Sequence, residues 1–510
     1  MRKLPIGIQT FEEMRSDNYF YVDKTKEAFE LVRKYKSVFL SRPRRFGKSL
    51  FLDTLKCIFE GRKELFEGLY IYDRWNWGEK YPVIHISWEG VLSTMDSIKE
   101  KLYVALLNNQ ERLGVNCEQG LSSPGCFERL LKKTYEKYQK PVVILIDEYD
   151  KPLLDNIDKK EFAKEVWEFL SGLYSIIKSN LQYIKFVFIT GISKFAKAGI
   201  FSGLNMLKDI SLSADFGNIC GYRQQDVEEL LKEYNADIDY DEVKEWYNGY
   251  YWLKDSLYNP FDIILFISEN FNYEDYWFST GTPSFLIKLI EKNNYYLPQL
   301  SNLKIEKSSL EKYNVEKVNL NVLLFQSGYL TIKEVEYDEY EENQIYKLGF
   351  PNKEVRKSFN THIIEQIYND ETLTNRKLNK AFHEFDLEKV EEILKSLFSS
   401  IPYNNYVNNT IFEYEGYYSS VIFVYLQAMG YEIIGEDVTN RGRIDLTLLH
   451  RKAIYLFEFK VEKGKDALEQ LKAKNYHMKY INDERPIYLV GINFDKEVKN
   501  ICNFQYEKVK

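Results

Sequence analysis

Ser37-Val38-Phe39-Leu40-Ser41-Arg42-Pro43-Arg44-Arg45-Phe46-Gly47-Lys48-Ser49 is the stretch that decides the first half of the fold. A strand-length apolar run ends in a polar loop, and the loop opens onto a helical pattern, Ser49 to Phe59, with Leu50, Leu52, Leu55 and Ile58 on one side. In that setting the N–H groups of the loop and of the helix N-terminus converge, which makes a cradle for phosphate. Gly47 lets the backbone come close to a ligand. Lys48 would neutralise β- and γ-phosphate oxygens, and the Ser49 hydroxyl would bind Mg²⁺. Arg44, Arg45 and Phe46 complete the loop. The two arginines add positive charge, and both a role on transferring phosphate and plain surface pairing stay open. The general pattern begins with glycine where this chain has Arg42, so a non-glycine residue must make the turn.

A second passage supports the first. Val142-Val143-Ile144-Leu145-Ile146-Asp147-Glu148 is an apolar strand ending in two carboxylates. At the carboxyl edge of a sheet, beside the phosphate loop, Asp147 would hold the Mg²⁺ shell and Glu148 would orient the attacking water as general base. Thr190 and Ser193, in Thr190-Gly191-Ile192-Ser193-Lys194 after the next apolar strand, are accessory candidates for sensing the γ-phosphate, and a plain strand-to-loop turn explains the stretch equally well. Strands over 37–40, 82–87, 142–146 and 186–189 separated by helical stretches predict a mostly parallel sheet.

From Gly221 the pattern turns helical, with helices expected over 224–234, 241–246 and 285–290. Strands over 328–335 and 344–350, an acidic turn between them and a helix over 353–368 give a pattern that a winged-helix unit would produce. The polar stretch 370–379 suggests a boundary. The expected organisation is an α/β multidomain chain: a P-loop NTPase domain over 1–220, a helical region with a winged-helix-like unit over 221–372, and a restriction-endonuclease-like α/β domain over 373–510.

In that last segment a helix over 416–429 leads to strands 431–436, 443–449 and 453–461, then a helix over 465–480 and a strand over 486–490. Asp445 interrupts an apolar strand, and Glu458 and Lys460, two apart, share one face of the next. Such charges are expensive to bury unless they pair or bind a metal. As hairpin neighbours, Asp445 and Glu458 would hold Mg²⁺ or Mn²⁺, hard ions that prefer oxygen, and Lys460 would position the nucleophile or offset developing charge. Arg441, Arg443, Arg451, Lys452, Lys463 and Lys465 surround the unit, as phosphate contacts or as a solvated rim.

Composition narrows the classes. A net charge of −8 over 510 residues argues against a chain that coats nucleic acid over its whole surface, while leaving room for a local basic groove. The five cysteines are scattered, without zinc-ligand spacing or an evident disulfide framework. The N-terminus runs into polar residues without the apolar core of a secretion signal, and the longest apolar runs are far too short to cross a bilayer. A soluble cytoplasmic protein with no membrane contact is the expectation.

The Asp445…Glu458-x-Lys460 arrangement resembles the PD-(D/E)XK nuclease superfamily, with Ile444 where the name-giving proline stands. That resemblance implies accessory roles for Glu415, at the start of the first helix, and Gln470, on the second. The whole chain resembles the bacterial and archaeal family with an N-terminal AAA-ATPase-like domain and a C-terminal PD-(D/E)XK nuclease-like domain. Further marks are Tyr21-Val22-Asp23-Lys24-Thr25, Asp147-Glu148-Tyr149-Asp150, Trp246-Tyr247-Asn248-Gly249-Tyr250, Tyr258-Asn259-Pro260 and Ser279-Thr280-Gly281-Thr282-Pro283. In that family the phosphate loop also lacks its leading glycine. The resemblance implies an ATP-binding protein whose nucleotide switch controls a metal-dependent nuclease acting on DNA, in defence or DNA processing. The alternative is an NTPase switch or scaffold that binds nucleic acid or a protein partner without cleavage. Self-association is compatible with both.

Overall fold

Five strands, β1 (Ser37–Ser41), β2 (Val83–Ser87), β3 (Val142–Asp147), β4 (Ile184–Gly191) and β5 (Lys208–Asp209), form one sheet in the order β2-β3-β4-β1-β5. Every pairing in it is parallel. Parallel strands are covered on both faces and so read as unbroken apolar runs. Accordingly all six residues of β3 are buried, and Val38, Phe39 and Leu40 are fully inside. At roughly 1.5–3 kcal/mol for each large apolar side chain removed from water, these central strands lock the sheet's register. The computed structural model describes residues 2–118, 120–194, 206–234, 237–279, 286, 289–290, 295–301, 303–310, 319–338, 342–368, 374–401, 415–461 and 466–510.

The chain divides into two units, Met1–Trp277 with Glu306–Leu330, and Phe278–Ile305 with Thr331–Lys510. In the first, the helix Lys48–Glu60 follows the loop after β1 and buries Phe51, Leu52, Leu55, Ile58 and Phe59. The sheet order places β4 between β3 and β1, so Asp147 is separated from the loop strand by a strand that carries Thr190. The hairpin β6 (Asn248–Tyr251) and β7 (Ser256–Tyr258) and the helices Gln224–Glu233, Tyr240–Tyr247 and Pro260–Ser268 add an aromatic cluster around Tyr222, Trp246, Tyr247 and Phe266.

In the second unit, β8 (Leu303–Glu306), β9 (Thr331–Asp338) and β10 (Asn343–Gly349) form a three-stranded sheet ordered β8-β10-β9, followed by the helix Lys353–Ile367. A mixed sheet then runs β11 (Glu432–Thr439), β12 (Gly442–Leu449), β13 (Ile454–Lys460), β14 (Ile487–Asp495) and β15 (Asn500–Lys508) in sequence order. Only β13 and β14 pair in parallel. The helix Glu415–Ala428 buries every residue from Tyr418 to Ala428.

Several expectations need correction. The helix expected over 465–480 is two pieces, Ala467–Lys474 and the 3₁₀ turn Tyr476–Tyr480, because Asn475 takes a left-handed conformation that ends an α-helix. The last strand, β15, was not anticipated. Cys117 and Cys126 are joined by a disulfide with Cα atoms 5.4 Å apart, where the scattered spacing gave no reason to expect one. Gln110, on the helix Met95–Leu113, accepts from Cys117 N–H at 2.7 Å through Oε1 and donates to Cys126 Sγ at 3.8 Å through its amide, so one side chain holds both cysteines, an approach that spacing alone does not reveal. Most of 285–290, the stretch 280–283, residues 370–373 and the loop at Lys463, Gly464 and Lys465 lie outside the described residues, and 374–379 open the helix Thr374–Glu384. Among the described residues no helix is long and apolar enough to cross a membrane.

Candidate functional site

The phosphate loop turns at Arg45 (φ +66°) and Gly47 (φ +88°) before the helix Lys48–Glu60 begins. A Cβ at Gly47 would meet nothing within 4 Å, so space is open above this stretch of backbone. Lys48 is buried, and its Nζ donates to Arg42 O (3.0 Å) and Pro43 O (2.9 Å). Burial pushes its pKa down, while Asp147 and Glu148 pull it up. Ser49 stands half-buried in the helix's first turn, Arg44 is half-buried, and exposed Arg45 lies 4.6 Å over the Phe261 ring.

Arg42 explains how the loop does without its leading glycine. Its buried guanidinium donates to Ser41 O (2.8 Å), Ser211 O (2.9 Å), and Phe216 O and Gly217 O (both 3.3 Å), and lies 4.3 Å over Trp252. Arg42 is a strut that ties the loop's start to residues 211–217. Phe46 packs on Tyr250 and Trp252, and its carbonyl accepts from Gly221 N–H. Trp277 Nε1 donates to Arg44 O at 3.1 Å. The aromatic motifs of the middle region therefore scaffold the loop from outside. Beside it opens a mostly apolar cavity lined by Val22, Lys24, Phe46, Gly47, Leu50 and Tyr222, which sequence reasoning did not find.

Asp147 is buried at the end of β3 and accepts a hydrogen bond from the Thr190 hydroxyl. Glu148 adopts φ +53°, and burial raises its pKa, with Asp147 adding and Lys48 opposing. A strained φ at a non-glycine residue is a feature that clusters at functional sites. Ser193 is fully buried and its hydroxyl is committed to Asp150 at 2.8 Å. Of the two sensing candidates, Thr190 is the one in contact with Asp147.

In the second unit the ladder between β12 and β13 runs through Leu446 opposite Phe457, and its continuation sets Asp445 opposite Glu458. There the backbone pairing gives way, and Phe459 N–H donates to Asp445 Oδ2 at 2.7 Å. Glu458 is buried; its Oε1 accepts from Lys460 Nζ (2.9 Å) and from the Gln470 amide. Its Oε2 is buried without a hydrogen-bond partner. Lys460 also donates to Phe459 O (2.7 Å) and stands 3.6 Å from Glu415 Oε2. Glu415, Asp445, Glu458, Lys460 and Gln470, drawn from two helices and two strands, thus meet in one place.

The electrostatics match a site built for a cation. Burial raises the pKa of Asp445, and Glu415 and Glu436 add to it. Burial and Asp445 raise that of Glu458. Burial lowers the Lys460 pKa, but Glu458, Asp445 and Glu415 outweigh it and hold the ammonium charged. An orphaned carboxylate oxygen beside a second carboxylate is the oxygen-rich donor set that Mg²⁺ or Mn²⁺ takes. Among the described residues no three metal-ligating side chains close into a complete cluster, so the carboxylate pair fits as part of a shell completed by water and substrate. Sequence reasoning missed Glu436. It stands in register across from Asp445, at a break in the ladder between the Gly435–Leu446 and Asp437–Ile444 pairs (φ +52°), receives Tyr296 OH (2.9 Å) and pairs with Arg443 (2.6 Å). Nothing in Gly435-Glu436-Asp437 announces that Glu436 stands across from Asp445. Arg441, Arg451 and Lys452 are exposed.

Comparison with known proteins agrees with this division. Residues 5–201 match the family model described as "Predicted AAA-ATPase", and 413–504 match the PD-(D/E)XK nuclease superfamily. An uncharacterized protein from the vnfD 5′ region of Azotobacter chroococcum mcd 1 is 39% identical over 516 residues, covering 100% of this chain and 99% of that protein. Among solved structures, the Aeropyrum pernix ORC1 protein in complex with DNA is 12% identical with a TM-score of 0.29, covering 70% of this chain and 96% of that one. The Aeropyrum pernix ORC2 protein (ADPNP-ADP complexes) is 12% identical with a TM-score of 0.28, covering 68% and 93%. Those scores are too low to carry fold or function across. The two family models, with identity held from end to end to that relative, show the family: the chain belongs to the one that joins an AAA-ATPase-like domain at the N-terminus to a PD-(D/E)XK nuclease-like domain at the C-terminus.

Proposed function

We propose that the protein is a nucleotide-controlled nuclease, in which ATP occupies the loop at Lys48 and a divalent cation serves the carboxylates Asp445 and Glu458 to cleave DNA. The observation that carries the reading is the orphaned Oε2 of Glu458, a buried acceptor that a cation would satisfy. In the first unit, loop N–H groups and Lys48 would bind phosphate, Ser49 and Asp147 would hold the Mg²⁺ shell, and Glu148 would take a proton from water. The apolar cavity beside Gly47 would receive the base.

In the second unit a bound Mg²⁺ or Mn²⁺ would activate water and stabilise charge on the scissile phosphate. Lys460 brings a positive charge to the same spot, and Gln470 and Lys460 together fix the Glu458 rotamer through Oε1. Glu415 sets the Lys460 position from the far side. Exposed Arg441, Arg451 and Lys452 offer salt-dependent phosphate contacts. Retention of Asp445, Glu458 and Lys460 together favours cleavage over a scaffold that only binds nucleic acid or a protein partner.

The test is cleavage of single- and double-stranded DNA and RNA with Mg²⁺ or Mn²⁺, with and without ATP, by the full chain beside Lys48→Ala and Asp445→Ala. Loss of cleavage by at least about 10³-fold in Asp445→Ala is expected. Lys48→Ala should retain cleavage but lose its response to ATP. Undiminished cleavage in Asp445→Ala would sink the assignment.

A further inference from the structure

Two short segments that meet across β3 and β4 hold a buried carboxylate with no part in the scheme above. Asp150 is fully buried three residues after Asp147, and its Oδ2 accepts from Ser193 N–H (2.6 Å), Ser193 Oγ–H (2.8 Å) and Ile192 N–H (3.1 Å). Neighbouring Tyr149 adds a fourth bond, its hydroxyl donating to Ser193 O at 2.9 Å. The Tyr149 backbone contributes two more, N–H to Thr190 O (3.0 Å) and carbonyl from Tyr174 OH (3.3 Å). Trp88 Nε1 in turn donates to Tyr174 OH at 3.0 Å. Gly191 is forced by this packing, since a Cβ there would lie 2.6 Å from Asp150 Oδ1 and from the Tyr149 ring.

We propose that Asp150, with Tyr149, is a positioning residue for nucleotide hydrolysis: it clamps residues 191–193 so that Thr190 stays on the Asp147 carboxylate. This rests on the reading of the first unit as an ATPase. Thr190 and Gly191 are consecutive at the end of β4, and Thr190 is the residue whose hydroxyl touches Asp147. A carboxylate accepting several bonds on one oxygen from two successive N–H groups and a hydroxyl fixes both the distance and the orientation of the segment that donates them. It holds residues 192–193, which lie beyond the end of β4 and of its ladder with β1 at Ser41 and Gly191. Ser193 is accordingly part of the clamp and not a group that meets phosphate. The same segment is held from its other side, where Lys194 N–H donates to Gln326 Oε1 (3.2 Å) and Lys194 Nζ pairs with Asp209 (2.6 Å). With both flanks tied down, the Thr190–Asp147 contact has little freedom to drift.

The test uses the full-length chain and three variants: Asp150→Asn, Ser193→Ala and Tyr149→Phe. Amide exchange at Ile192 and Ser193 is measured without nucleotide, alongside the Kd for ATP and kcat for its hydrolysis. For Asp150→Asn the expected result is faster exchange at both amides, ATP binding within about twofold of wild type, and a kcat lower by about 10- to 100-fold, the range a misplaced reacting group produces. Ser193→Ala and Tyr149→Phe each remove one bond and leave the carboxylate, so kcat should fall by only a few fold, about 2- to 5-fold. Unchanged exchange and unchanged kcat in Asp150→Asn overturn the proposal. So does a large loss in Ser193→Ala that Asp150→Asn does not share, which would return Ser193 to a phosphate contact. If Asp150→Asn does not fold, the two single-bond variants decide by the same exchange and kcat readouts. A wild-type chain that binds no ATP would defeat the ATPase reading, while the exchange arm would still judge the clamp by itself.

Discussion

The two sites answer the same problem, polar groups gathered in a protein interior, in opposite ways. Around the phosphate loop the groups satisfy one another, Arg42 Nε apart: Lys48 is held by two carbonyls, the two terminal nitrogens of Arg42 by four, Asp147 by Thr190 and Asp150 by Ile192 and Ser193. Around Glu458 they do not. Two carboxylates face each other with their pKa values raised, and one oxygen is orphaned. The first site is organised before any ligand arrives. The second stores unfavourable electrostatics that a cation would relieve. Removing a buried donor should therefore destabilise the first unit, whereas removing the charge of one facing carboxylate should stabilise the second.

The largest effect expected is at Arg42. Arg42→Gly would restore the leading glycine of the general phosphate-loop pattern, and a reading from pattern alone would judge it harmless. The structure says otherwise, because the substitution strips four carbonyls, three of them in buried bonds, of a charged donor. A loss of about 2–4 kcal/mol in the first unit's unfolding free energy is expected. Denaturant unfolding followed by a probe in that unit would measure it, and an unchanged midpoint would remove the strut from the account.

At Asp445 the sign should reverse. Asp445→Asn keeps an oxygen for the Phe459 N–H and leaves the Glu458–Lys460 pair intact, while removing the charge that faces Glu458, Glu415 and Glu436. In metal-free buffer the second unit should gain about 1 kcal/mol. Mn²⁺ should raise the melting temperature of the wild type by mass action and leave that of Asp445→Asn nearly unmoved. A variant that is less stable without metal, or equally stabilised by Mn²⁺, would place the cation elsewhere.

The difference between the two sites also governs what could be read in advance. The parallel sheet was legible because a strand buried on both faces must be apolar along its whole length, as Val142–Ile146 is. The carboxylate pair was legible because charge at alternate positions of an apolar strand is conspicuous at Glu458 and Lys460. Arg42 was seen only as a departure from pattern, since a strut is defined by carbonyls at 211–217 that no local spacing can indicate. The insertion of β4 between β3 and β1 was hidden for the same reason: strand order is a long-range property. Glu436 could not be seen because its place across from Asp445 shows only when two strands are paired, and Asp150 because its partners lie more than forty residues away.

An orphaned, titration-shifted group need not mark a binding site, and His450 shows where the criterion stops. Its Nε2 is buried without a hydrogen-bond partner, as Glu458 Oε2 is, and the residue is fully inside. The ring stands among Tyr431, Tyr455 and His383, with Lys452, Arg451 and Arg485 as the charges nearby. The rings in contact are neutral and the charges that act most on the imidazole are positive, so no cation is invited. Burial, then His383 and those cations, push the His450 pKa down to about 4. A depressed value keeps the imidazole neutral in the fold, with Nδ1 accepting from Lys452 N–H at 3.2 Å. Stability is then undisturbed above the ordinary histidine range near 6.5 and falls as the pH drops from there toward 4, because only the unfolded chain gains the proton. The loss should be just under about 1 kcal/mol at pH 6 and should grow below it. His450→Gln should flatten this part of the pH profile and leave metal binding at Asp445 untouched. A profile that keeps its slope would assign the acid sensitivity to other groups, and lost metal binding would mean that His450 and the carboxylate pair form one network.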